Sequence, residues 1–238
     1  MRPSPDYTVR ESARATRVCL KVSLAGRLEV VVPRGFDPRR VPALVDRKRA
    51  WIDTALRRVD EQRSLFAPNI SKALPNEIIL QAIGERWNVE YHTLADANRV
   101  TLLPQQDARL IVRGAVDNTT LCRTALKIWL SRQAQTHLVP WLDEISAQTG
   151  LSYRQARVRG QKTRWGSCSR SRTINLNYKL LFLAAPLVRC VLVHELCHTV
   201  HFNHSSSFWT LMAEKEPGYK ALDVELRTAR RHVPGWAD

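Results

Sequence analysis

The segment His194-Glu195-Leu196-Cys197-His198 places two histidines four residues apart with a glutamate directly after the first. On a helix that spacing stacks His194 and His198 one above the other on a single face. Two imidazoles one turn apart can bind one zinc ion, with bonds of about 2.0–2.1 Å each. Glu195 lies about 100° further round the helix and competes less directly for the metal. It is placed instead to take a proton from metal-activated water and pass it to a leaving amine, the general-base role of H-E-x-x-H peptidases. Leu187, Val188, Val191, Leu192 and Val193 precede the motif and make its helix a buried one, which holds ligands still.

A catalytic zinc takes a third protein ligand and leaves its fourth position to water. His201 and His204 both follow closely. On a continuous helix His201 stands about 10.5 Å along the axis from His194, too far for three ligands around one ion. His204 is better placed if the helix ends near Asn203, because Asn tolerates the left-handed conformation that terminates helices. Glu214, Glu216 and Glu225 are the downstream alternatives. The leading reading is zinc-dependent hydrolysis of peptide bonds. Two others use the same residues: a nucleic-acid-binding module with a structural zinc closed by His201 or Cys197, and a zinc hydrolase of a non-peptide amide. Glu195 argues against the structural site, which needs no base.

The elements that must hold this motif follow from the hydrophobic pattern. Residues 16–33 alternate apolar and polar positions about a break at Ala25-Gly26-Arg27, a half-buried β-hairpin. Asp37 and Pro38 then cap and open a helix over 39–63, with Val41, Leu44, Val45, Trp51, Ile52, Leu56 and Val59 as its buried stripe. Four short strands are expected at 77–83, 87–92, 100–103 and 109–113. A long helix over 118–148 follows, with apolar positions that include Leu121, Ile128, Trp129, Leu138 and Ile145, Pro140 as a point of interruption and Gly150 as its stop. Strands recur at 153–159 and 173–180, joined by a basic, serine-rich loop at 161–171. A helix from Pro186 through His201 carries the motif; Ser205 or Ser206 caps another through Glu214, and a last one follows Pro217-Gly218.

Arg164-Trp165-Gly166-Ser167-Cys168, Ile174-Asn175-Leu176-Asn177, the His194–His198 motif, Asn203-His204-Ser205 and Phe208-Trp209 occur in that order. In these segments the chain resembles the YgjP-like metal-dependent hydrolases, relatives of the SprT-like and minimal gluzincin-type metallopeptidases. The resemblance implies a zinc peptidase fold with His194, His198 and His204 as ligands, Glu195 as the base, and a protein or peptide substrate. It also implies that the 173–180 strand lies beside the cleft, where a peptide can add to a strand edge. Phe208 and Trp209 are expected to pack the following helix against the metal helix and support His204. Trp165 and Cys168 read either as cleft wall or as packed core. Tyr178 and Tyr219 are candidate donors to a developing oxyanion. The expected fold class is α+β. An N-terminal β-rich part at 1–115, with the basic hairpin and helix, precedes a zincin-type catalytic half at 116–238 of long helix, small sheet, HExxH helix and C-terminal helices.

Among the 238 residues, 44% are hydrophobic and 25% charged, which excludes a disordered or fibrous chain. The longest apolar run, 180–188, contains Pro186 and is far short of a membrane span, and no signal-type stretch opens the sequence. Five scattered cysteines without C-x-x-C spacing fit neither a disulfide framework nor a cysteine zinc knuckle, so a soluble, cytoplasmic protein is expected, with no membrane partner. The net charge is +15, and residues 151–194 hold nine Lys or Arg and no acidic residue. The basic segment 154–172, adjoining Tyr153 and containing Trp165, fits nucleic acid by charge and stacking; a solvated basic face fits it equally.

Overall fold

The computed structural model describes residues 6–23, 26–66 and 73–238, without the side chains of 58–66. Ala25 of the expected turn and the side chain of Val59 lie outside the described residues. The chain divides into two units, Met1–Pro68 and Asn69–Asp238.

In the first unit Tyr7–Ser12 (β1), Cys19–Val22 (β2) and Leu28–Pro33 (β3) form a sheet of order β1-β3-β2. The pair β2–β3 is the expected hairpin, with Leu20 opposite Val30. Strand β1, parallel to β3, is an addition to that expectation. Asp37 Oδ1 accepts the Arg39 N–H at 3.0 Å and Pro38 opens a 3-10 turn. The helix expected over 39–63 is two, Val41–Arg47 (α1) and Arg49–Phe66 (α2), divided at Lys48. Val41, Val45 and Ile52 close a small core over Leu28, Val30 and Val32. Trp51, expected inside, is 49% exposed because the neighbouring Ile52 takes the inward position.

The second unit opens with Glu77–Leu80 (β4), Glu85–Thr93 (β5), Val100–Pro104 (β6) and Arg109–Gly114 (β7), in the order β4-β5-β7-β6. Strand β4 stops earlier than the expected 77–83 because Gln81–Ile83 turn as a 3-10 helix into Gly84, whose φ is +66°. Thr119–Thr149 (α3) follows. Asn118 Oδ1 accepts the N–H groups of Thr120 and Leu121 at 3.2 and 3.1 Å, and Gly150 ends the helix at φ +72°. Pro140 sits on its exposed side and does not interrupt it; Ile128, expected among its apolar contacts, is 51% exposed. Leu126, Leu130, Leu138, Leu142 and Ile145 share one core with Ile78, Leu80, Leu110 and Val112. Position 115 lies within the span of this core, and the two compact units divide at 68/69.

Gln155–Arg159 (β8), Gly166–Cys168 (β9) and Thr173–Asn177 (β10) make a second sheet, with β10 central, parallel to β8 and antiparallel to β9. Strand β9 lies within the segment expected as a loop, because Gly166-Ser167-Cys168 is too short to show alternation. Strand β10 ends at Asn177, and Tyr178–Phe182 continue as a buried 3-10 helix. Three helices complete the unit: Ala185–Cys197 (α4), Ser206–Lys215 (α5) and Tyr219–Leu226 (α6). The C-terminal residues are tied down against the Tyr178–Phe182 3-10 helix. Trp236 meets Phe182 edge-on at 6.0 Å, Tyr178 donates to the Ala237 carbonyl at 3.2 Å, and the buried Lys179 ammonium reaches the Asp238 carboxylate. The fold class is α+β, and among the described residues no helix is long and apolar enough to cross a membrane.

Candidate metal centre

Helix α4 begins with Pro186 in its first turn and buries Leu187, Val188, Val191, Leu192, Val193 and Leu196, so it has no freedom to rotate. Its last turn presents His194 and His198 to one point, with their Nε2 atoms 3.2 Å apart. The helix ends at Cys197, earlier than the expected His201, and the chain loops back so that His204 Nε2 lies 3.1 Å from His194 Nε2. The ligand atoms of all three rings lie within 4.8 Å of one another. A tetrahedral ion with bonds of about 2.0–2.1 Å spaces its ligand nitrogens by roughly 3.3–3.4 Å, so the donor set fits such an ion.

The surroundings favour bare nitrogens. His198 Nδ1 lies 2.9 Å from the His201 carbonyl oxygen, which can only accept, so Nδ1 carries the proton and Nε2 keeps a lone pair. Burial, together with His198 and His204 nearby, pushes His194 down to about 4, and burial also lowers His198. Both are neutral near pH 7, as metal ligation requires.

Ser205 caps α5, its Oγ accepting the Phe208 N–H at 3.4 Å, and so sets two aromatic rings behind the histidines. Phe208 stacks on His198 with centroids 4.5 Å apart. Trp209 stacks on His204 at 5.5 Å, and Tyr219 stacks on the far side of Trp209, also at 5.5 Å. The other candidates are engaged elsewhere. His201 contributes its carbonyl, Glu214 pairs with Lys215, Glu216 pairs with Arg189, and Cys197 is core; none of these, nor Glu225, joins the histidine cluster. Tyr178 is committed to Ala237. Trp165 and Cys168 pack partly buried against the core, with Arg230 over the Trp165 ring at 5.8 Å.

Glu195 is 5% exposed, and its Oε2 is buried with no hydrogen-bond partner among the described residues. Burial pushes its carboxyl up to about 8, against the opposing pull of Arg164. A buried carboxylate oxygen of this kind is one that a water or a cation would satisfy. The role of one residue near the site is visible only in the structure. Asn177 is fully buried, donates from Nδ2 to the carbonyls of Gln161 and Arg164 at 2.9 and 2.8 Å, and donates its N–H to Trp165 O at 2.9 Å. In the sequence it stands in the Ile174-Asn175-Leu176-Asn177 segment, where nothing local shows which carbonyls its amide meets.

A buried helix ends in two histidines one turn apart, a third returns from the following loop, and the three together form a cluster that could hold a metal ion. The chain belongs to the YgjP-like family: the model for the YgjP-like metallopeptidase domain matches residues 16–229. It is a metallopeptidase. The crystal structure of the metallopeptidase zymogen of Pyrococcus abyssi abylysin aligns at 28% identity over 37% of this chain and 89% of that one, with a TM-score of 0.34. No curated protein matches the chain.

Proposed function

We propose that the protein is a zinc-dependent peptidase in which His194, His198 and His204 hold the ion and Glu195 is the general base. The convergence of three imidazole nitrogens carries this reading, and the buried, unpartnered oxygen of Glu195, next in sequence to His194, supports the base. Three imidazole nitrogen donors suit zinc. The ion, when bound, supplies Lewis acidity that polarises a carbonyl and makes water a nucleophile near neutral pH.

The chain's own residues do the rest. The His201 carbonyl fixes the His198 tautomer, and Phe208 and Trp209 fix the ring planes of His198 and His204. With an ion held by His194, His198 and His204, Glu195 would be ionised, and its Oε2 would accept a proton from the attacking water and pass it to the leaving amine nitrogen. Strand β10, expected to offer its edge to a peptide, is paired on both sides and has no free edge; β9 is the edge strand next to it, and an extended peptide would add there instead. Five unpaired cysteines support a reducing cytoplasm as the compartment. Arg157 and Arg159, exposed on the edge strand β8, support an anionic neighbour such as nucleic acid.

Glu195→Gln tests the base. The variant should keep its metal and lose about 10²–10⁴-fold in kcat. A metal-loaded Gln variant with the wild-type rate contradicts the mechanism.

A further inference from the structure

A methyl group built on Gly166 would stand 2.6 Å from Glu195 Oε1, 2.7 Å from its Cγ and 2.9 Å from its Cδ. Contacts that short do not persist, so something must yield. Strand β9 cannot retreat easily. The segment leading into it is held by the two Asn177 Nδ2 bonds and by the Asn177 N–H on Trp165 O, and the strand itself is paired with β10 through Leu176 opposite Gly166. Helix α4 cannot retreat either, since Val188, Leu192, Val193, Leu196 and Cys197 are fully buried on it. What remains movable is the Glu195 side chain, which has rotatable bonds and an oxygen without a partner.

We infer that Gly166 is a positioning residue for Glu195: its missing side chain is the seat of the base, and strand β9 sets where the carboxylate points. The inference rests on Glu195 being the base. Its backbone geometry does not ask for glycine, since Gly166 does not have the positive φ that glycine alone adopts freely. The requirement is space. Misplacing a reacting group by about 1 Å costs on the order of 10²-fold in rate.

The test is Gly166→Ala in the full-length protein, compared with wild type and Glu195→Gln. Elemental analysis should give the same metal content per chain as wild type. KM should stay within twofold while kcat falls tenfold to a hundredfold. A crystal structure of the variant should show the three histidines in place and the Glu195 carboxylate moved away from β9. Wild-type kcat in Gly166→Ala beside an inactive Glu195→Gln overturns the role of Gly166 alone. Full activity in Glu195→Gln overturns the base itself. Loss of metal from Gly166→Ala, or a variant structure in which β9 has moved and Glu195 has not, assigns Gly166 to the scaffold and also overturns the inference.

Discussion

Replacing Asn177 with Ala removes a side chain that does not touch the metal ligands yet holds the segment beside them. Three hydrogen bonds go with it: Nδ2 to Gln161 O, Nδ2 to Arg164 O, and Lys179 N–H to Oδ1. Each contributes about 1 kcal/mol net, and a buried group left unpaired costs about 1–3 kcal/mol. Asn177 is completely buried, so water cannot readily replace the lost partners. The expected destabilisation is about 2–4 kcal/mol, the lower part of that sum, because the loop carbonyls gain access to solvent as the segment loosens. For a unit the size of residues 69–238 this lowers Tm by about 5–15 °C. Urea unfolding followed by circular dichroism measures the loss, and the activity of the folded variant should fall as well, because Arg164 and Gly166 lose their anchor. Asn177→Asp should not rescue it, since a carboxylate facing two carbonyl oxygens has nothing to donate. A loss below about 0.5 kcal/mol in Asn177→Ala would refute the reasoning.

Asp238 gives a pH dependence. Burial pushes its carboxyl up, but the Lys179 hydrogen bond and the charges of Lys179, Arg230 and Lys127 outweigh that and hold it below its ordinary value near 3.8. A depressed folded value means the stabilisation is complete above that ordinary value and is lost as pH falls through the lowered one. The urea midpoint of wild type should therefore drop more between pH 5 and pH 3 than that of Asp238→Asn; parallel curves would contradict this. At neutral pH Asp238→Asn should cost about 1–2 kcal/mol, less than an unpaired buried charge usually does because the Asp238 side chain is 58% exposed. Trp209→Ala removes the ring between His204 and Tyr219. Chelator competition should show metal affinity weakened about tenfold to a hundredfold, with Trp209→Phe closer to wild type.

The chemistry of this protein was easier to read in its sequence than the surroundings of that chemistry. His194 and His198 are one helical turn apart, and that local fact survives any tertiary arrangement. His204 required knowing where α4 stops. The structure ends the helix at Cys197, before the expected His201, and the His201 carbonyl rather than its ring then serves the site. Long elements such as α3 were legible, down to Gly150 as its stop. Strand β9 was not, because three small residues carry no period, and β1 was not, because its pairing with β3 is decided by tertiary contact. Trp51 and Ile128 face outward although apolar, since an apolar residue one step off the buried stripe gains no partner. The change from strands to helix near 115 marks a change of element, whereas the core of residues 69–238 runs through it.

The most direct measurement is metal content per chain, wild type beside His204→Ala, by elemental analysis of protein purified with zinc present. The account requires about one zinc in wild type and its loss, or affinity weakened at least tenfold, in the variant. A wild type that holds no zinc, or a His204→Ala variant that holds it as tightly as wild type, would contradict the three-histidine centre.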